Sequence, residues 1–483
     1  MRISAGALFL VVGLAGPEGA HGQAKPSPQE IKHPWHGDFK DDYKDPKTQA
    51  LIMHYRMWAP EKQPEQKHLG LIVWFHGMGG NEDGVGVSID GARRVKLLGE
   101  YVIMGGKSKG AGWAPADDEN VLKWIAWAKE TYPIDPRRVH IMGHSNGGAM
   151  SERFGWEHQD LFASSSPYAG AGGQVFGVPP KGQKLGKPGA PDGPAETKME
   201  WYIVHGDKDA AVSVDTSRRA CKELRDKGYR YVYREIAGAD HGSIFQFTDV
   251  IDDNIRFIHA LRHKEIPVTK DERAELASLA GKAKAEKPET AGAMLAELER
   301  IGGGPAEKVL KNAIENADPE VKKAALAVTQ RTFFGKDMVL ELIKQLKDKS
   351  DEVKAESFKG LAVAANWRYP EAQEILEQVA RKKAAPVEER VHAIQGLGQA
   401  VKLDLLGNFE DKLVIWTLVL LLDDDELKIR EAAFAPLEKG VKDTFGYAPD
   451  LGTPERKASA AKWKAWCEQK AGPLSGSGPA GKS

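Results

Sequence analysis

The chain predicts two folded units in series: an α/β domain on a mostly parallel sheet flanked by helices, then an all-α domain of stacked helical repeats. Three observations predict this fold class. Between Leu69 and Ile236 short β-branched or aromatic runs alternate with amphipathic stretches, the spacing of a parallel sheet covered on both faces. After Lys264 those runs give way to Ala, Glu, Lys and Leu at helical spacing. Glycine is divided unevenly: of 51, 29 fall in residues 25–269 and only 13 in residues 270–470. Tight strand-to-helix turns use glycine and stacked helices do not.

Composition sets the outer bounds. At 483 residues the chain exceeds one ordinary domain, and 41% hydrophobic residues suffice for a packed core. Lys plus Arg number 68 against 69 Asp plus Glu, a net charge of −1. That excludes a protein held on nucleic acid by a global positive field, so no nucleic-acid partner is expected.

The elements follow in chain order. Met1-Arg2 is a short positive start, Ile3 to Leu14 an apolar run, and Gly16-Pro17 a break before small residues around 20–24. Residues 1–24 thus predict a secretory signal peptide and a secreted or periplasmic location. No cysteine follows the run, which argues against a lipoprotein anchor. Leu413 to Leu422, the longest later apolar stretch, is about half the ~18 residues of a span, so no integral membrane segment is expected after cleavage. Cys221 and Cys467 fall in different halves and make a poor disulfide framework.

Residues 25–49 form an N-terminal extension, and 50–267 the α/β domain. Its expected strands are Leu71–Phe75, Tyr101–Met104, Val139–Met142, Ala163–Ser166, Trp201–Val204 and Tyr231–Glu235; its helices are Asp118–Glu130, Asn146–His158, Asp215–Lys227 and Ile244–Leu261. Gly170 to Lys198 is Gly-, Pro- and Lys-rich without periodicity. A connection of that length, leaving a strand's C-terminal end, reads as a lid or substrate-contacting loop.

Residues 268–470 read as helices, beginning with Ala291–Ile301 and Glu307–Ile314. Segments opening at Asp318, Asp351, Glu388 and Glu426 then align on Ala325, Ser357, Ala393 and Ala433. Each starts acidic, continues basic and places a small residue where helices approach. The pattern resembles HEAT repeats, helix pairs that stack because one pair cannot bury its apolar face alone, and implies a surface for a protein partner. Residues 471–483 are Gly/Ser/Pro-rich and read as a disordered tail.

The chemistry concentrates at Gly143-His144-Ser145-Asn146-Gly147-Gly148, between an apolar run and a helical stretch. That is the setting of a G-x-S-x-G nucleophile elbow, in which a sharp turn lifts the serine hydroxyl out of the sheet. A serine hydroxyl needs an adjacent base, itself oriented by an acid. Of 14 histidines, His241 is best placed, in a glycine-flanked loop after the last expected strand. Asp207 and Asp209, in the turn after Trp201–Val204, compete for the acid; Asp240 adjoins the base and would reach its ring only with awkward geometry. The glycine-rich exit of the first strand, His76-Gly77-Met78-Gly79-Gly80, offers the Met78 N–H to join that of Asn146 in an oxyanion hole. Trp113 and His144 are the candidate substrate-contacting side chains. His33 and His36 lack a third ligand, so no metal site is expected.

With these residues, 50–263 resemble the α/β-hydrolase superfamily, in particular its polyhydroxybutyrate-depolymerase and feruloyl-esterase-like branch and the related predicted peptidases and phospholipase/carboxylesterases. The resemblance rests on His76-Gly77 after a strand, on Ile134 to Val139 leading into the elbow, and on His205-Gly206-Asp207-Lys208-Asp209. The order Ser, Asp, His is also the one this superfamily uses. The resemblance implies that the last residue of H-G-x-x-D, Asp209, is the acid. Met78 stands where many depolymerases carry cysteine, so no polymer-specific substrate follows. The resulting expectation is an exported serine esterase with catalytic Ser145, Asp209 and His241. It would act through an acyl-enzyme, without a cofactor, on esters that include polymeric or plant-derived ones. An oligopeptidase on the same residues and a binding scaffold with a secondary hydrolase are the alternatives.

Overall fold

The computed structural model describes residues 35–63, 68–170, 199–332, 335–401, 412–441 and 443–472. The expected signal segment, the tail beyond residue 472 and the long connection at 171–198 lie outside the described residues.

Eight strands form one sheet: β1 (Gly37–Lys44), β2 (Leu51–Ala59), β3 (Leu69–Phe75), β4 (Tyr101–Gly106), β5 (Ile134–His144), β6 (Ser164–Tyr168), β7 (Glu200–Gly206) and β8 (Tyr231–Ile236). Their order is β1-β2-β4-β3-β5-β6-β7-β8. β1 pairs antiparallel with β2 and β2 antiparallel with β4, and every later neighbour is parallel. The six expected strands are all present. The sheet also has two that the sequence reading lacks, β1 and β2. β1 carries Asp38, Lys40, Asp41, Asp42 and Lys44 on an edge, where such charges discourage pairing with another chain and hide the strand from a hydrophobicity search.

Side chains alternate across β3. Leu71, Val73 and Phe75 enter one core with residues of α2 (Asp118–Thr131), α3 (Asn146–Glu157) and α4 (Val214–Asp226). Ile72 and Trp74 enter the other with residues of α1 (Gly86–Arg94) and α5 (Thr248–Ala260). The strands from β3 onward are therefore buried on both faces, which explains their near-continuous apolar runs. Helix α1 was not expected because glycine interrupts its pattern. Gly91 is what lets it approach Ile251 and Ile255 of α5.

The second half is all helix: α6 (Lys270–Lys282), α7 (Pro288–Ile301), α8 (Gly303–Ile314), α9 (Pro319–Val328), α10 (Lys336–Gln345), α11 (Asp351–Asn366), α12 (Pro370–Arg381), α13 (Val387–Ala400), α14 (Lys412–Leu421), α15 (Leu427–Gly440) and α16 (Thr453–Ala471). Helices α9, α11, α13 and α15 pack side by side in one row, and α8, α10, α12 and α14 in a second. The aligned small residues Ala325, Ser357, Ala393 and Ala433 are fully buried in the first row. The acidic helix starts have a mechanical role at α9, where the Asp318 carboxylate accepts the Glu320 N–H at 2.8 Å.

The two halves share buried polar contacts. Asp253 of α5 accepts from the Tyr202 hydroxyl at 2.7 Å, the Arg234 guanidinium at 3.1 Å and the Asn366 amide at 2.8 Å. Arg234 in turn donates to the Asn366 carbonyl at 2.9 Å. Trp367 packs edge-on against Phe257, with ring centroids 5.6 Å apart.

Candidate active site

Parallel strands end together, so the loops leaving their C-terminal ends converge along one edge of the sheet. β5 ends at His144 and α3 begins at Asn146, leaving Ser145 alone between them with φ 56° and ψ −119°. A left-handed backbone at a non-glycine residue stores on the order of 1–3 kcal/mol and persists only where its surroundings enforce it. They do so here. The Ser145 N–H donates to the Tyr168 carbonyl at 2.8 Å, and the Ser145 carbonyl accepts from Ala149 at 2.9 Å. A Cβ at Gly143 would run into the Gly147 backbone, one at Gly147 into the Phe75 carbonyl, and one at Gly148 into the Tyr168 carbonyl. Each glycine of the motif has a steric reason.

Asp207 and Asp209 leave β7 together and do different things. The Asp207 carboxylate accepts the Gly238 N–H at 2.6 Å, tying two loops together. The Asp209 side chain is fully buried, and its Oδ2 lies 2.7 Å from His241 Nδ1. Its Oδ1 accepts the N–H groups of Ala211 and Val212 at 2.9 and 2.8 Å. Burial alone would raise the Asp209 pKa; the Val212 amide, His241 and the Ala211 amide outweigh it and hold the carboxyl below its usual value. Asp240 turns inward on its own loop, accepting from Gly242 at 3.0 Å and Ser243 at 2.8 Å. Of the three carboxylates, Asp209 is the one bonded to the His241 ring.

His144 faces the His241 loop. Its Nε2–H donates to the His241 main-chain carbonyl at 2.8 Å, and its ring lies edge-on to Phe245. Burial lowers its pKa and favours the neutral ring. Asn146 reaches back the other way. Its Oδ1 accepts the Trp113 N–H at 2.6 Å and its Nδ2 donates to the Trp113 carbonyl at 3.3 Å. The Trp113 ring itself is 5% exposed and packs edge-on against Phe75 at 5.0 Å. Met78 is 65% exposed, and the neighbouring Gly79 N–H is bonded to the Ala111 carbonyl at 2.6 Å. His76 fixes the base of that turn: its Nε2 accepts the Ser108 N–H at 3.1 Å, so Nδ1 carries the proton donated to the Gly77 carbonyl at 2.7 Å.

Two features escaped the sequence reading. One is the Asn146–Trp113 pairing, which joins residues far apart in the chain. The other is His205, fully buried behind Asp209 with Nε2 3.2 Å from Oδ2; its place in His205-Gly206-Asp207-Lys208-Asp209 was visible, its contact was not. Among the described residues, ligand atoms of His68, Asp135 and Glu272 come within 4.8 Å of one another. The Arg137 guanidinium already sits between the two carboxylates, 2.9 and 2.7 Å from their oxygens, so the cation of that cluster is an arginine.

No protein-family model and no curated protein matches the chain. Solved structures that overlay on it include a thermostable esterase, 20% identical, covering 47% of this chain and 64% of that one with TM-score 0.36. A fluorophosphonate-binding serine hydrolase of Staphylococcus aureus is 15% identical, covering 46% of this chain and 98% of its own with TM-score 0.36. A ferulic acid esterase of Anaeromyces mucronatus is 15% identical, covering 44% and 89% with TM-score 0.34. The chain thus spans just under two thirds of the first structure, and each overlay takes in less than half of this chain. The architecture of the chain itself is an α/β-hydrolase core followed by an all-α helical region.

Proposed function

We propose that the chain is an exported serine hydrolase that cleaves carboxylic esters through Ser145, His241 and Asp209. The observation that carries this reading is the pairing of a strained serine elbow with a histidine ring bonded to a buried carboxylate at 2.7 Å. In this reading Asp209 accepts the His241 Nδ1–H, which leaves Nε2 as the base. His241 removes the Ser145 proton, Oγ attacks the ester carbonyl, and the alcohol leaves with that proton. Water, activated by the same imidazole, then releases the acid. The tetrahedral oxyanion is held by the N–H groups of Asn146 and Met78. The first amides of a helix lack intrahelical acceptors, which supports Asn146 as a donor at the start of α3. The exposed Met78 side chain and the Trp113 loop lie where the substrate would enter, and the helical rows serve as a docking surface for a protein partner.

The test is turnover of p-nitrophenyl esters and of a chromogenic peptide by the protein and its Ser145→Ala variant. Ester hydrolysis lost in the variant is the expected result. Equal ester turnover by both proteins would refute the reading, and peptide cleavage without ester cleavage would replace it with an oligopeptidase.

A further inference from the structure

We propose that His205 is a positioning residue that acts on the reaction through Asp209, extending the Ser145–His241–Asp209 line inward to helix α4. The proposal rests on the hydrolase reading above. It starts from the hydrogen-bond capacity of a buried imidazole. His205 Nε2 lies 2.9 Å from the Val212 carbonyl, which can only accept, so Nε2 carries the proton. Nδ1 is then the acceptor, and the Ser217 hydroxyl donates to it at 2.7 Å. The Nε2–H is bonded to Val212, and Nε2 also lies 3.2 Å from Asp209 Oδ2, in contact with the oxygen that is bonded to His241.

The Asp209 carboxylate is consequently held on all sides. Two backbone amides fix Oδ1, and Oδ2 is hydrogen-bonded to the His241 ring and in contact with the His205 ring. His205 also closes the 207–212 loop on itself, because its ring joins the end of β7 to the Val212 carbonyl just before α4. Ser217 is buried on α4 and donates to the Nδ1 that the Val212 contact leaves without a proton. Without the ring, Oδ2 loses the neighbour that limits its rotation about χ2, and the His241 imidazole loses its fixed heading. A misplacement of about 1 Å in such a group costs roughly a hundredfold in rate.

The experiment compares His205→Phe, His205→Gln and Ser217→Ala in the full chain. The glutamine amide puts an N–H near the position of Nε2, whereas phenylalanine fills the volume without one. Steady-state ester hydrolysis is read together with the downfield proton resonance of the His241 Nδ1–H in the substrate-free protein. The expected result for His205→Phe is a kcat about tenfold to a hundredfold lower, an unchanged KM and a broadened resonance. His205→Gln restores both, and Ser217→Ala gives a smaller loss of the same kind. A folded His205→Phe protein with wild-type kcat and resonance would overturn the proposal, as would glutamine and phenylalanine variants that are equally impaired. Should His205→Phe fail to fold, the Ser217→Ala and His205→Gln pair decides on the same readouts. A wild-type protein without ester turnover defeats the hydrolase reading alone, because the resonance still reports whether His205 orders the Asp209–His241 bond.

Discussion

The His144 ring donates its Nε2–H to the main-chain carbonyl of His241 at 2.8 Å, and the two imidazoles lie 4.7 Å apart. The residue before Ser145 therefore holds the backbone of the residue that would act as its base. This turns the His144 side chain toward the His241 loop. Replacing His144 with leucine should lower kcat by about tenfold to a hundredfold and leave KM within twofold. A substrate-contacting side chain would instead raise KM, and steady-state kinetics on one ester separates the two.

The neighbouring carboxylates should respond very differently to the same change. In Asp209→Asn the remaining oxygen stays on the Ala211 and Val212 amides, so an NH2 group faces His241 in place of Oδ2 and the wrong imidazole tautomer is favoured, which should cost roughly 10³–10⁴ in kcat. Asp207→Asn keeps an oxygen for the Gly238 amide and should stay within a few-fold of wild type. Matched kcat measurements check this, and equal losses at both positions would remove Asp209 from its assigned role.

Gly147 has no space for a side chain, because a Cβ there meets the Phe75 carbonyl, part of the sheet's backbone. Gly147→Ala should therefore cost at least the upper end of the about 1–3 kcal/mol typical of overpacking. Gly99, whose Cβ would meet nothing within 4 Å, is the control, and Gly99→Ala should shift Tm little. Thermal denaturation of the two variants reads the contrast.

Acid should unfold the protein earlier than its carboxylates alone would require. Burial lowers the pKa of His140 and His259 well below 6.5, and it lowers those of His144 and His205 as well. Below pH 6.5 the unfolded chain takes up protons that the folded chain refuses, so stability is full above that value and falls as pH drops through it. The two most deeply buried histidines, His140 and His259, should contribute most to this loss. Urea midpoints at pH 7.5, 6.5 and 5.5 test this; midpoints that do not move from 7.5 to 5.5 would contradict it.

Removing the helical half should not yield an intact α/β half. Truncation after residue 268 strips Asn366 and Trp367 from Asp253, Arg234 and Phe257, and it takes Glu272 from Arg137. Losing partners of buried polar groups costs about 1–3 kcal/mol apiece. The truncated chain should be insoluble or melt well below the full chain, whereas a soluble form with the full-chain Tm would show that the helical half is not needed for stability.

Local pattern determined what local pattern can determine. Six strands were legible because each is buried on both faces and so reads as an apolar run, and the serine elbow because its glycines are demanded by backbone contacts within a few residues or with the adjacent strand. The helical rows were legible because a small residue recurs where helices touch. Tertiary structure decided the rest. Asp207, Asp209 and Asp240 have the same functional group and lie in similar turns; only the approach of the β7 and β8 loops gives Asp209 to His241 and leaves the others to tether backbone. The His144 bond to the base loop has the same origin, because its two partners meet only when the sheet brings its strand ends together. The edge strand β1 forms a local hairpin with β2 and was hidden by its charges, and the contact of His205 with Asp209, four residues on, is set by the turn that leaves β7.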